Sequence, residues 1–491
     1  MPTSGIADEY DVVIVGHGVS GLSASIAAHE AGANPIVLEK SPYEKRGGHT
    51  RHAGGLFRFP MADPERARED LGLEDTPEQY TQQDFYDDLM EVSDGRANDE
   101  LCTELVENAY EAMNWLTEHG IGWHIVDHSD EPGFGTTVGA VQADGEGLGV
   151  IEDLTDRIDE LGIDVHYDTE FRGIETDEKN EVTAAKAVGP SGKVTYEAHS
   201  IVICAGSYVS NPEKRTRYFG RDGEGYVVRG SRYNTGEALD AAMDAGAYPA
   251  GQWGGGHQVM NDATAAEVEE GRARINGYQY SVTLNREGDR FIDEGEDFLL
   301  KTYAKFGQRL YDQPKQRGFV VFDSTVDDLV VSQIDTEPIE ADTLEALFEK
   351  VGIVDVENAL ETMDAFNDAT TASADEFDPH ELDGNATEGL DPDKTNWAIP
   401  VAEPPYKCFP VRSAMTFAFG GLKITTESQV LDTRQKPIPG LWAVGNSTAE
   451  FFYGNYPGGS ALSRGATFGR RAGRNAAARA NSRQPQASLE D

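Results

Sequence analysis

Gly16, Gly18 and Gly21 are the first residues in the chain whose spacing could do chemistry. They form G-x-G-x-x-G directly after Val12–Val15, an unbroken β-branched run of the kind found in a strand buried on both faces. A helical pattern follows to Ala31, with Gly32 where a C-cap glycine belongs. A second apolar run, Ile36–Leu38, then ends in Glu39. These parts make one strand–helix–strand unit. Gly16 permits the tight turn, Gly18 lets backbone approach a pyrophosphate, and Gly21 lets the helix pack on the strand. The pyrophosphate would face the free N–H groups and positive dipole end of the helix. Glu39 stands 18 residues after Gly21, close to the roughly 20 expected of a carboxylate that binds ribose hydroxyls. The spacing predicts dinucleotide binding. Glycines that serve only packing are the alternative.

The elements that would position such a site are spread along the chain. Gly47-Gly48 and Gly54-Gly55 bracket His49, Thr50 and His52, so backbone there can pass close to a flat ring or a phosphate. Residues 163–200 show short β signals with turns at Asp177–Asn180 and Pro190–Gly192, which reads as a β-meander. Ile201–Cys204 is another buried strand, closed by Ala205-Gly206-Ser207. A composition shift at Gln252–His257 marks the start of an inserted domain that ends near Pro404-Pro405. Gly440–Asn446 returns to the buried-strand pattern, and Gly458-Gly459-Ser460-Ala461-Leu462 opens a last helix reaching about Ala480. The expected domains are therefore 1–250 and 406–480 for the dinucleotide-binding part, 251–405 for the insertion, and 481–491 for a disordered tail.

The chain has 491 residues, with 87 Asp and Glu against 41 Lys and Arg, and a net charge of −46. That excess argues against nucleic acid or an anionic membrane as partner. Acids dispersed through a chain with few lysines resemble an acidic proteome from high-salt cytoplasm, where salt screens self-repulsion. A merely soluble acidic enzyme is the alternative. Cys102, Cys204 and Cys408 are far apart and form no C-x-x-C, so no metal site is expected. No secretory leader precedes the first strand, and no apolar run approaches the roughly 18 residues of a membrane helix. We expect a cytoplasmic protein without membrane insertion.

Further motifs agree with the fingerprint in kind and order: G-G-H-T at 47–50, A-G-S at 205–207, G-L-W-A-V-G-N at 440–446 and Y-P-G-G-S-A-L at 456–462. Together they resemble the FAD-dependent succinate dehydrogenase/fumarate reductase flavoprotein superfamily over nearly the whole chain. Within it, residues 289–304, 387–400 and 416–423 look closest to tricarballylate dehydrogenase. The Y-P-G at 456–458 is also similar to 3-ketosteroid dehydrogenases. The resemblance implies an α/β fold: a Rossmann-like FAD-binding domain of the glutathione-reductase type, split by an inserted α+β capping domain. It implies FAD, with Gly16, Gly18, Ser20 and Gly21 at the diphosphate and Glu39 at the adenosine ribose, Lys40 being next in the chain. Gly47, Gly48, His49, Thr50, Gly54 and Gly55 would line the flavin, and Ala205-Gly206 would close the site. Gly445, Asn446, Ser460, Ala461 and Leu462 would approach the ribityl chain and pyrimidine edge. Respiratory members attach FAD through a His near position 49, but soluble branches do not, so non-covalent FAD is expected. The pattern departs from fumarate reductases at Thr416-Phe417, where they use a His, and at Tyr456, where they use an Arg.

Desaturation beside a carboxylate or ketone needs a base for the α-proton, a hydride acceptor at flavin N5 and a positive group for the developing enolate. Arg274 and Arg412 are the candidate carboxylate ligands, each alternatively paired with a surface acid. Tyr303, Tyr456 and His257 are the candidate acid or base, each alternatively a packing residue. Lys301 is a candidate to lower a tyrosine pKa from its usual value of about 10. No NAD(P) site is visible, so electrons would leave to a separate acceptor. The implied enzyme is an FAD-dependent oxidoreductase acting on a CH–CH bond of a small, tricarballylate-like polycarboxylate. A fumarate-reductase-like or ketosteroid-type enzyme, or an electron-relay subunit of a complex, are the alternatives. A side chain at Gly18 would hold backbone off the pyrophosphate, so Gly18→Val should purify colourless; full flavin content by absorbance would contradict the fingerprint.

Overall fold

The computed structural model describes residues 5–6, 10–126, 131–134, 138–370 and 377–483. Val12–Val15 pairs in parallel with Pro35–Leu38 on one side and Ser200–Ile203 on the other. Asp164–His166 and Pro437–Ala443 extend the sheet in parallel, and Gln429–Leu431 closes one edge antiparallel. All residues of the three central strands are buried, as apolar runs covered on both faces require. The chain first steps from Val12–Val15 to one neighbour and later returns on its other side. That reversal opens a crevice at the carboxyl ends of the strands, where ligands of such sheets bind.

The fingerprint helix, Val19–Glu30, starts at this crevice with Gly18 as its N-cap. The C-terminal helix, Ser460–Arg483, packs along it through Gly465, Gly469 and Gly473, which lie four apart on one stripe. A Cβ on Gly469 would stand 2.5 Å from the Ser20 carbonyl oxygen, and one on Gly473 2.2 Å from that of Ala24. The two backbones are thus in direct contact, and both amino ends meet at the same crevice. The meander appears as Glu170–Thr176, Val182–Gly189 and Gly192–Glu197, with Gly5–Ile6 added in parallel.

The insertion has its own sheet, built on Tyr406–Leu422. That strand pairs with Pro249–Asp262, Arg317–Phe322, Val227–Arg229 and Ile339–Ala341. Leu299–Tyr311 is the cap helix above the crevice. An apolar core around Phe322, Phe409, Trp397 and Leu310 is separate from that around Val12–Val15. The strands of this sheet lie on both sides of the expected limits. Lys407 and Cys408 pair with Phe322 and Val321, so the sheet continues past 405. Val227–Arg229, ahead of 250, already lies in its sheet. The last helix includes 481–483, which were expected in the tail, while 484–491 lie outside the described residues. Because Gly469 meets backbone rather than a movable side chain, Gly469→Leu should lose about 1–3 kcal/mol of stability by overpacking and bind less FAD. Urea unfolding with flavin content checks this; an unchanged midpoint would contradict the seam.

Candidate active site

The crevice is a cavity of about 390 Å³. Its first wall is the fingerprint. Gly16 adopts φ +106°, and a Cβ there would come 2.7 Å from the Cys204 carbonyl oxygen. A Cβ on Gly21 would fall 1.9 Å from the Gly16 carbonyl oxygen, so Gly21 sits beneath the turn and does not line the cavity. A Cβ on Gly18 would approach Thr50 Oγ1 at 3.3 Å and fill the cradle. Val19 N–H donates to Thr50 Oγ1 at 3.2 Å, which ties Thr50 to the start of the helix. Glu39 is buried, and its carboxylate accepts from the backbone N–H groups of His17 at 2.9 Å and Ser41 at 2.8 Å. Burial raises its pKa above the ordinary carboxylate value. Lys40 lines the same end but is neutralised by Glu170 and Glu237, each at 3.0 Å.

Ser20, Gly47, Gly48, Gly54 and Gly55 also line the cavity. So do Ala205, Gly206, Gly445, Asn446, Ala461 and Leu462. Ser460 lies behind the wall instead, where its hydroxyl donates to the Pro457 carbonyl at 2.6 Å and starts the helix. His49 faces Asn234, with Nδ1 2.7 Å from Asn234 Nδ2, and burial pulls its pKa down to about 3, so its imidazole is neutral. A glycine-lined trough, a helix amino end and a buried carboxylate are the donor set that a dinucleotide requires, and the residues present fit one.

The far end of the cavity gathers the chemistry. His257, on Pro249–Asp262, stacks on Phe417 at 5.5 Å with an 11° interplanar angle. Its ring edges meet Tyr303 at 5.1 Å and Tyr456 at 5.0 Å. His257 Nδ1 lies 2.8 Å from Thr416 Oγ1, which also accepts from Arg229 Nη1 at 3.3 Å. Burial, then Arg229 and Arg274, hold the His257 pKa well below its ordinary value. Tyr303 and Tyr456 meet hydroxyl to hydroxyl at 3.2 Å. Burial holds the Tyr456 pKa well above 10, so its phenol stays protonated. Arg274 is buried, with its guanidinium 5.0 Å from the Tyr303 ring and 5.8 Å from Phe134. Its Nε donates to Asn276 Oδ1 at 2.8 Å, and no carboxylate pairs with it among the described residues. Burial lowers its pKa to about 10, which leaves it charged at neutral pH.

Two expected residues are elsewhere. Arg412 lies four residues, or about 13 Å, along its strand from Thr416, and its Nη2 donates to the Gly225 carbonyl at 2.7 Å. Lys301 is 73% exposed and pairs with Asp297 at 3.3 Å. Two residues along a helix turn about 200°, so Lys301 points away while Tyr303 faces the cavity. Arg229 is the residue that sequence reasoning missed. Its signal was Val227-Val228-Arg229-Gly230, a short apolar run ending in a cation. It is balanced by Glu269 at 3.3 Å.

Comparisons with known proteins agree with this architecture. The NADH:fumarate oxidoreductase of Klebsiella pneumoniae (strain 342) is 28% identical over 489 residues, covering 96% of this chain and 48% of the relative. The chain thus spans about half the length of that relative. The urocanate reductase of Eggerthella lenta is 28% identical over 481 residues, covering 96% of this chain and 75% of the relative. In three dimensions the chain resembles 3-ketosteroid delta1-dehydrogenase from Sterolibacterium denitrificans, with a TM-score of 0.77, 19% identity and coverage of 96% and 100%. That likeness concerns the fold alone. A model of the FAD binding domain matches residues 11–462, from the fingerprint strand to the start of the last helix. The chain therefore belongs to the FAD binding domain family, and FAD is the dinucleotide for which this crevice is shaped.

Proposed function

We propose that this chain is an FAD-dependent oxidoreductase that exchanges hydride with a carbon–carbon bond next to a carboxylate. Arg274 carries the reading. A buried guanidinium without a counter-charge is expensive, and it lines the same cavity as the dinucleotide cradle. A substrate carboxylate offsets that cost through a planar two-point contact. An electron-relay subunit without substrate has no use for such a group. The relatives named for fumarate and urocanate support a small carboxylate.

Bound FAD supplies the two-electron chemistry. The chain's own residues then have distinct parts. Arg274 holds the carboxylate, and Arg229, joined through Thr416 to His257, adds positive potential on the same wall. His257 remains neutral and presents Nε2, which has no partner among the described residues, for hydrogen bonding to a substrate oxygen. Tyr456 donates its phenolic hydrogen, and its contact with Tyr303 gives a two-hydroxyl path for the substrate proton. A tyrosinate base is not the role of Tyr456, because burial opposes its ionisation.

The finer reading is a tricarballylate-like polycarboxylate, with electrons passing to a separate acceptor. It rests on the segments at 289–304, 387–400 and 416–423, and on Arg229 standing beside Arg274. Among the described residues no helix is long and apolar enough to cross a membrane. An anaerobic screen tests the reading: tricarballylate or a related saturated acid should bleach bound FAD, or an unsaturated carboxylate should reoxidise the reduced form. No response to any carboxylate in either direction would overturn it. Tyr456→Phe removes only the hydroxyl. It should keep flavin content and thermal stability while turnover falls about 10²–10³-fold, the usual cost of one transition-state donor. Unchanged turnover would leave Tyr303 and His257 to carry the proton.

A further inference from the structure

Arg464 is 3% exposed, in the second turn of the C-terminal helix, one layer behind the cavity wall. Its Nη2 donates to Asn446 Oδ1 at 2.6 Å. The guanidinium packs against the rings of Phe451 and Phe452 at 4.8 and 4.7 Å. Its Nε has no hydrogen-bond partner and no carboxylate pairs with it among the described residues. In a chain with 87 acidic residues, none of those among the described residues is placed against this buried cation. Nothing in the handling of substrate uses it.

The geometry around Asn446 supplies a use. Asn446 lines the cavity together with Gly445, Ala461 and Leu462. A guanidinium only donates, so the oxygen of the Asn446 amide is the atom it fixes, and the NH₂ group is turned away from it. The same wall is the amino end of the Ser460–Arg483 helix, whose free N–H groups and dipole are positive. Two sources of positive potential therefore converge on one side of the FAD crevice.

We propose that Arg464 is a positioning residue that orients Asn446 toward FAD and, with the helix end, supplies the counter-charge for its reduced, anionic form. The proposal rests on the FAD assignment and not on the substrate reading. Uptake of two electrons and one proton by oxidised FAD leaves one added negative charge. A fixed cation nearby, with little water between, favours that form.

The test uses FAD-loaded protein, with Arg464→Met to remove the charge at similar length and Arg464→Lys to keep it. Two-electron midpoint potentials are read against reference dyes, alongside affinity for sulfite, affinity for FAD and thermal unfolding. Arg464→Met should disfavour the reduced form about tenfold, a fall of about 30 mV for a two-electron couple, and weaken the sulfite adduct. Arg464→Lys should restore part of both. An unchanged potential in flavin-replete Arg464→Met would overturn the proposal. So would a loss of FAD affinity without a shift in potential, which would assign Arg464 to the diphosphate or to folding. Should Arg464→Met not fold, Asn446→Asp places a carboxylate against Arg464 and neutralises it in place. The potential should then fall in the same direction, and an unchanged value would equally overturn the assignment.

Discussion

Backbone meeting backbone without side chains between them is the constraint on which this molecule depends. It occurs at the Gly16–Gly21 turn, where a Cβ on Gly21 would fall 1.9 Å from the Gly16 carbonyl oxygen. It recurs at Gly469 and Gly473 along the seam between the first and last helices. The turn shapes the cradle for FAD. The seam brings the amino end of the C-terminal helix to the same crevice, although the two helices are separated by most of the chain. The cap sheet then closes over this crevice through the long pair of strands Pro249–Asp262 and Tyr406–Leu422. The FAD cradle and the cluster of Tyr303, Tyr456, His257 and Arg274 thereby share one cavity.

Charge placement follows a second logic. The surface is strongly acidic, yet the cavity's far end keeps Arg229 and Arg274 buried beside a neutral histidine. Glu269 balances Arg229, whereas Arg274 has no such partner among the described residues. An acidic exterior repels carboxylate anions at long range, and salt screens that repulsion within about 10 Å at moderate ionic strength. The buried guanidinium acts inside that distance, where screening is weak. The positive charge of this pocket is therefore local and is not set by the overall field.

Much of this was legible in the sequence because the relevant signals are local. Gly16, Gly18, Gly21 and Glu39 are fixed by spacing within one strand–helix–strand unit, and the structure places them as that unit requires. Tyr303, Tyr456, His257 and Arg274 converge, as residues drawn from four separate segments. Arg412 and Lys301 stand away from the cavity for reasons of geometry at short range. One lies too far along its strand, and the other is on the wrong side of a helix. At Thr416 a register shift between His257 and Gln258 adds a bulged residue, which re-aims side chains in a way that sequence alternation does not foretell. Arg229 was missed because its meaning is tertiary: it enters the site only when Val227–Val228 pairs with Ala414–Met415. The same holds for the cap sheet, since composition marks loops while strand pairing decides which sheet a segment joins.

The central claim is that Arg274 receives a carboxylate beside FAD. It is tested most directly by titrating the oxidised, FAD-loaded protein with a small carboxylate that does not bleach the flavin and following the flavin difference spectrum. Arg274→Gln should keep full flavin content and bind that carboxylate about 10–100-fold more weakly, as loss of a charged hydrogen bond of about 1.5–3 kcal/mol implies. Equal affinity in both proteins would contradict the account.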